Sequence, residues 1–287
     1  MPHDAHAAPP QGFDAGLVAR VLDDARAAGA RVYGISGVQG SGKSTLAAQL
    51  VAAAADRGLR AVALSLDDVY LDAPGRAALA RKVHPLLATR GPPGTHDLAL
   101  AGEVLDALRA GRPARLPVFD KLSDRRLPPA QWREVDRADL VMFEGWCVGA
   151  PAEAEASLAA PVNRLEREED GDGRWRRHCN AVLARDYPAL WQRIDRLLLL
   201  RPPAFEIVPG WRWQQEQALR ARDPARPGMT RAQLERFVQH FERVSRHALR
   251  SLPALADAVI DLDPARRPSG FRAGPGQRDA AAPTRGG

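Results

Sequence analysis

The 287-residue sequence has few cysteines, few lysines and no long hydrophobic run. Two cysteines, Cys147 and Cys179, cannot form a disulfide framework, which favours a protein of the reducing cytoplasm. No apolar stretch approaches the roughly 18 residues of a membrane span. The N-terminal residues show no basic segment followed by an apolar one, so no secretory signal is expected. These absences predict a cytoplasmic protein that does not bind membranes.

The basic charge of the chain is unevenly distributed. The formal net charge is +6, and residues 265–287 contain five arginines against one aspartate. A Pro-, Gly- and Arg-rich end of this kind predicts a basic disordered tail, so no nucleic-acid partner is expected. Only three basic residues are lysines: Lys43, Lys82 and Lys121. In such an arginine-rich sequence, a lysine is more informative than an arginine.

Short apolar runs alternate with helical patterns along the chain. Strands are predicted at 31–36, 61–66, 138–144, 196–201 and 257–263. Helices are predicted from about residue 13, and over 43–57, 97–109, 163–184, 205–222 and 231–250. This alternation predicts an α/β fold, a mainly parallel five-stranded sheet with helices on both faces.

The domain organisation follows from the same patterns. We expect a flexible end over residues 1–12 and a single domain over 13–264. Within it, residues 72–135 are rich in Pro, Gly and Arg and contain one clear helical pattern. This segment is predicted to leave the sheet and shape a pocket, although a plain surface insertion is the alternative.

A phosphate-binding motif lies between the first strand and the helix that follows it. The segment GVQGSGKST over residues 37–45 fits the pattern G-x-x-x-x-G-K-[ST]. Its backbone N–H groups, the Lys43 charge and the Ser44 hydroxyl predict binding of nucleoside triphosphate phosphates and Mg²⁺. The predicted binding residues are Gly37, Gly40, Ser41, Gly42, Lys43, Ser44 and Thr45.

Acidic residues follow the next two strands. Asp67 and Asp68 end the second strand, and Glu144 ends the third. Carboxyl ends of parallel strands are where open α/β sheets bind ligands. Only one of two adjacent residues can face the site. We assign Asp67 as the general base that accepts a hydroxyl proton, and Asp68 as a helix cap. Glu144, together with Ser44, is predicted to hold Mg²⁺.

The chain lacks two motifs that would indicate other nucleotide-binding proteins. There is no Asn-Lys-x-Asp element of a GTPase and no Leu-Ser-Gly-Gly signature of a transporter ATPase. A small-molecule kinase is therefore favoured. The acceptor stays open, and it could be a nucleoside, pantothenate or a sugar phosphate. A regulatory ATPase also stays open.

Later polar residues are candidates for the acceptor pocket and the lid. His96 and Asp97 begin a predicted helix, and Asp97 is equally well explained as its N-cap. Lys121 lies in a charged loop and suits an anionic acceptor, as does Arg90. Arg212 is predicted to neutralise phosphate charge from a helical lid, and a surface arginine is the equally good alternative. The apolar stripe that includes Phe237 and Phe241, and the nearby His240, are interpreted as structural.

Several motifs in order resemble the D-glycerate 3-kinase family, a branch of the P-loop kinases that includes uridine kinase and phosphoribulokinase. They are GVQGSGKST, SLDDVY, RGPPGTHD, FDK and FEGW, and the likeness extends over about residues 31–262. The resemblance implies a P-loop NTPase fold and an ATP-dependent kinase whose hydroxyl acceptor is D-glycerate. It also implies that Asp67 is the general base and that Tyr70 belongs to the acceptor pocket. One departure is Val69, where the family usually has an aromatic residue.

Overall fold

The computed structural model describes residues 12–224 and 228–274. Its strands are β1 (Val32–Gly37), β2 (Ala61–Ser65), β3 (Ala114–Leu116), β4 (Phe119–Asp120), β5 (Arg125–Arg126), β6 (Arg133–Val135), β7 (Leu140–Gly145), β8 (Arg196–Arg201), β9 (Ala258–Leu262) and β10 (Pro268–Ala273). Its helices are α1 (Ala15–Ala27), α2 (Lys43–Ala55), α3 (Ala73–Lys82), α4 (Leu98–Arg109), α5 (Arg164–Glu169), α6 (Arg174–Arg185), α7 (Pro188–Trp191), α8 (Val208–Arg222) and α9 (Arg231–Leu255).

The central sheet contains the five predicted strands and one more. Its order is β10-β9-β8-β1-β7-β2, and every neighbouring pair except β10–β9 is parallel. The prediction of a disordered tail over 265–287 is wrong for Pro268–Ala273, which pairs antiparallel with β9. The remainder of that tail, from residue 275, and residues 1–11 lie outside the described part of the chain.

Alternate residues of the strands pack on opposite faces of the sheet. Tyr33 and Ile35 of β1 join one buried cluster with α1 and α2, whereas Val32 joins the other with α4 and α9. Leu198 and Leu199 of β8 divide between the same two clusters. Because successive side chains of a strand point to opposite faces, near-continuous apolar runs indicate a sheet covered on both sides. The structure confirms the predicted α/β architecture.

The excursion over residues 72–135 contains more regular structure than was predicted. It holds two helices, α3 and α4, and contributes two small antiparallel sheets, β3–β6 and β4–β5. Helix α3 was missed because its one buried side chain is Arg76, so it shows no apolar periodicity.

The single helix predicted over 163–184 is two helices, α5 and α6. They are separated by a turn at residues 170–173, where the Asp170 carboxylate accepts hydrogen bonds from the backbone N–H groups of Trp175 and Arg176. No helix in the described residues is long and apolar enough to cross a membrane.

A buried ion pair fastens α5 to α9. Arg243 donates to both carboxylate oxygens of Glu166, at 2.8 and 2.6 Å, and also to the carbonyls of Ser157 and Ala160. The side chains of Arg243 and Glu166 are 7% and 0% exposed. Removing one member of such a pair leaves an uncompensated buried charge.

We predict that Arg243→Met lowers the free energy of unfolding by about 3–5 kcal/mol, because Glu166 then stays buried without its partner. Arg164→Met is the matched control, since Arg164 pairs with Glu168 of the same helix at the surface. It should change stability by less than about 1 kcal/mol. Urea denaturation of both variants measures this, and equal losses would contradict the assignment.

Candidate active site

The phosphate loop joins β1 to α2 through backbone conformations that favour glycine. Gly40 and Gly42 have φ angles of +81° and +94°. A Cβ atom at Gly40 would lie 2.9 Å from the Cβ of Trp211 in α8. At Gly37 it would lie 2.9 Å from both the Leu200 carbonyl oxygen and Ser41 Oγ. The glycines therefore permit both the turn and the close approach of β8 and α8.

Lys43, the first residue of α2, is buried beneath this loop and donates to the Val38 carbonyl oxygen at 3.1 Å. Burial lowers the pKa of its ammonium, while the carboxylates of Glu144 and Asp67 oppose that shift. Both carboxylates face Lys43 closely enough to act on its charge. An ammonium at a helix N-terminus is well placed to bind phosphate oxygens.

Ser44 and Glu144 meet at the same edge of the sheet. The Ser44 hydroxyl donates to Glu144 Oε1 at 2.7 Å, and Glu144 pairs in register with Ile35 of β1 and Ser65 of β2. A hydroxyl and a carboxylate are hard oxygen ligands, which Mg²⁺ prefers. The donor set present therefore fits the predicted magnesium ion.

Asp67 lies just beyond β2 and has both carboxylate oxygens engaged. Tyr70 donates its hydroxyl to Oδ1 at 2.7 Å, and Lys121 donates its ammonium to Oδ2 at 2.6 Å. Burial alone would raise the pKa of Asp67. The charge and hydrogen bond of Lys121, with the Tyr70 hydroxyl, outweigh burial and hold that pKa well below its usual range.

Asp68 does not cap a helix, contrary to the prediction. Its Oδ1 accepts from the backbone N–H of Phe119 at 3.3 Å, which ties β4 to the end of β2. Burial, with the neighbouring Asp67 charge, raises the pKa of Asp68 to about 6, although the Phe119 N–H partly offsets this. Asp67 and Asp68 thus have opposite environments, and Asp67 is the one that faces the cavity.

A cavity of about 750 Å³ brings most of the predicted site residues together. The predicted residues that line it are Gly40, Gly42, Lys43, Ser44, Thr45, Asp67, Tyr70, Lys121, Glu144 and Arg212. Among the described residues, Gly37 and Ser41 do not line the cavity; they pack against each other at the start of the loop.

His96 and Asp97 are likewise not among the described residues that line the cavity. His96 is buried behind Tyr70, with ring centroids 4.7 Å apart, and its Nδ1 hydrogen-bonds the Tyr187 hydroxyl at 2.6 Å. Burial lowers its pKa to about 4. Asp97 is the N-cap of α4 and also pairs with Arg126 at 3.1 Å. Both residues therefore support the pocket wall without lining it, and the N-cap alternative for Asp97 is confirmed.

Residues of α9 line the cavity although their apolar stripe was interpreted as core packing. Phe237, His240 and Phe241 are among them. Phe241 also packs edge-on against Trp146, at 4.9 Å between centroids, and belongs to the buried core. An apolar stripe predicts burial but does not distinguish core from pocket wall. Trp146 also lines the cavity, and it lies two residues after Glu144 in the FEGW motif, so this motif was the sequence signal for this part of the pocket wall.

Arg90 lines the cavity beside the β4–β5 hairpin. Its Nη1 donates to Asp124 Oδ1 at 2.5 Å, and its guanidinium lies 5.8 Å from the Phe119 ring centroid. The buried Arg76 binds the other oxygen of Asp124. Two guanidinium groups therefore share one carboxylate on this side of the cavity.

The predicted lid helix is α8, and it lies against the phosphate loop through Trp211 and Gly40. Trp211 is buried and donates its indole N–H to the Pro264 carbonyl oxygen at 2.9 Å. The next residue, Arg212, lines the cavity and donates to Gln215 at 2.5 Å. Helix α8 thus places an arginine in the wall of the cavity, beside the phosphate loop.

The parallel sheet, the loop from β1 to α2 and the acidic residues at the carboxyl ends of β2 and β7 define a P-loop NTPase fold. No protein-family model matches the chain. It is 36% identical over 222 residues to the uncharacterized kinase mug58 of Schizosaccharomyces pombe, which covers 73% of this chain and 78% of that protein.

The chain is also 31% identical over 257 residues to the chloroplastic D-glycerate 3-kinase of Arabidopsis thaliana, covering 83% of this chain but 53% of that enzyme. It therefore spans about half the length of the chloroplastic enzyme. The solved structure of D-glycerate 3-kinase from Cryptococcus neoformans matches with a TM-score of 0.72 at 26% identity, covering 90% of this chain and 97% of that one. The chain belongs to the D-glycerate 3-kinase family of P-loop kinases.

We predict that Gly40→Ala weakens nucleotide binding by about 10-fold or more, because the added Cβ meets Trp211 and the φ of +81° is strained for alanine. Gly210→Ala is the control, since a Cβ atom at Gly210 in α8 meets no atom within 4 Å. Isothermal titration with ATP measures both variants. Equal affinities would show that the loop tolerates a side chain.

Proposed function

We propose that the protein is an ATP-dependent D-glycerate 3-kinase, which transfers the γ-phosphate to a hydroxyl of D-glycerate to give 3-phosphoglycerate. The observation that supports this most directly is the position of Asp67. Its carboxylate lies in the same cavity as the phosphate-loop lysine and hydroxyl, between Tyr70 and the cation of Lys121. A cytoplasmic location is part of the proposal, supported by two free, buried cysteines.

In this proposal, the phosphate loop and its first helical turn bind the triphosphate. Backbone N–H groups of residues 40–45 and the Lys43 ammonium contact the β- and γ-phosphate oxygens. Ser44 and Glu144 hold Mg²⁺, which supplies charge neutralisation at the phosphates. Arg212 approaches the same phosphates from α8 and helps to exclude water when the lid closes.

Asp67 orients the acceptor hydroxyl and accepts its proton. As the oxygen–γ-phosphorus bond forms, the bond from γ-phosphorus to the β–γ bridging oxygen breaks, and ADP leaves. A base must lie within about 2.6–3.2 Å of the hydroxyl oxygen. The cavity extends from the phosphate loop past Asp67 to Tyr70 and Arg90, so one small acceptor can contact all three.

The acceptor end of the cavity suits a small hydroxy acid. Lys121 and Arg90 provide positive charge for a carboxylate, and Tyr70 forms part of the wall. His96 and Asp97 enter the proposal as supports, the first behind Tyr70 and the second through Arg126 of the hairpin.

The acceptor is tested by measuring ADP release with D-glycerate, pantothenate, uridine and ribulose 5-phosphate, followed by NMR of the phosphorylated product. We expect turnover with D-glycerate and near-idle ATP hydrolysis without an acceptor. If only another acceptor is phosphorylated, that compound would replace D-glycerate as the assigned substrate. If ATP hydrolysis does not respond to any acceptor, the protein would be a regulatory ATPase.

We predict that Asp67→Asn leaves ATP affinity near that of the wild type and lowers kcat by about 10²–10⁴, the usual range for a lost general base. The amide keeps the size of the side chain but accepts no proton. Steady-state kinetics and nucleotide titration separate the two effects. An unchanged kcat would remove Asp67 from this role.

Glu144→Gln is expected to raise the Mg²⁺ concentration needed for half-maximal activity by about 10-fold or more, because an amide is a weaker ligand than a carboxylate. A magnesium titration at fixed total ATP measures the shift. Glu134→Gln is the control, since Glu134 is exposed and pairs with Arg115 on β3. The same shift in both variants would contradict a metal role for Glu144.

A further inference from the structure

Asp67, the proposed base, is held by two contacts that make it a weaker proton acceptor. Asp67 Oδ1 accepts from Tyr70 and Oδ2 accepts from Lys121, so each oxygen has a partner already. An ammonium at 2.6 Å stabilises the ionised carboxylate and makes it a poor proton acceptor. For Asp67 to accept a hydroxyl proton, at least one of these partners has to move.

The two partners differ in their freedom to move. Tyr70 is 3% exposed and is packed between His96 and Phe119. The Lys121 side chain is 54% exposed and lies on the turn between β4 and β5. Its ammonium is a single charge on a flexible four-carbon chain, which can exchange one carboxylate for another. Lys121 is therefore the partner that can leave.

The surroundings of Lys121 indicate what it would move towards. Arg90 also lines the cavity, and the same hairpin contacts it through Phe119 and Asp124. Asp124 is shared between Arg90 and Arg76, and the Asp72 carboxylate also acts on Arg76. An anionic group that enters here meets the cations of Lys121 and Arg90, and its charge can replace that of Asp67 beside Lys121.

We propose that Lys121 selects for an anionic acceptor by changing its partner. It pairs with Asp67 when no acceptor is bound and shifts to the carboxylate of an anionic acceptor. This shift frees Asp67 Oδ2 for the acceptor hydroxyl. This inference rests on the proposed kinase function and adds a reason for acceptor selection. Water or an uncharged alcohol brings no anion to Lys121 and leaves Asp67 paired. The same exchange therefore favours hydroxy acids and suppresses ATP hydrolysis without an acceptor.

The test compares D-glycerate with glycerol, which has a hydroxymethyl group in place of the carboxylate, in wild type and Lys121→Met. In the variant, kcat/KM for D-glycerate should fall about 10- to 100-fold, as for loss of a hydrogen bond to a charged group. With glycerol it should stay constant or rise, because Asp67 is no longer paired. ATP hydrolysis without an acceptor should rise for the same reason.

Lys82→Met is the matched control, because Lys82 is exposed on α3 and is not among the described residues that line the cavity. It should leave the D-glycerate-to-glycerol preference unchanged. If Lys121→Met lowers kcat/KM for both acceptors by the same factor, Lys121 only positions Asp67 and the inference is overturned. A wild-type enzyme that phosphorylates neither compound would contradict the proposed function and this inference together.

Discussion

Three adjacent parallel strands, β1, β7 and β2, end at the same edge of the sheet, and the site depends on this constraint. Register places Glu144 of β7 between Ile35 of β1 and Ser65 of β2. The residues that follow each strand must therefore meet in space. The phosphate loop follows β1, and Asp67 follows β2. A hydrogen bond of 2.7 Å from Ser44 to Glu144 joins the first turn of α2 to the end of β7.

Charge balance is the second feature that organises the cavity. Lys43 is buried between acidic neighbours, and Lys121 reaches Asp67 from the turn of the β4–β5 hairpin. These are two of the three lysines in the sequence. Asp67 keeps its charge because a cation is near, whereas burial pushes the pKa of the adjacent Asp68 up to about 6. Of these two adjacent carboxylates, Asp67 stays ionised and lines the cavity, whereas Asp68 accepts the Phe119 N–H.

Helix α9 shows why a sequence pattern leaves a pocket unresolved. Its apolar stripe correctly predicted burial, and Phe241 does pack in the core against Trp146. The same residue lines the cavity, and Gly91 packs so closely against its ring that a Cβ atom there would lie 2.1 Å from Cζ. Periodicity records that a face is buried but not what it is buried against. His96 illustrates the converse, since a polar residue in a distinctive motif packs behind Tyr70.

The sequence by itself determined the five parallel strands, the phosphate loop with Ser44 at the start of α2, and the positions of Asp67 and Glu144 at strand ends, because local patterns and strand ends specify them. Tertiary structure decided the sixth strand, whose Pro- and Arg-containing segment has no apolar pattern, and helix α3, which buries only an arginine. It also decided that Lys121 lies on Asp67 while His96 lies behind the cavity wall. Contacts between residues 54 positions apart depend on how the excursion folds back on the sheet, and no local pattern encodes that distance.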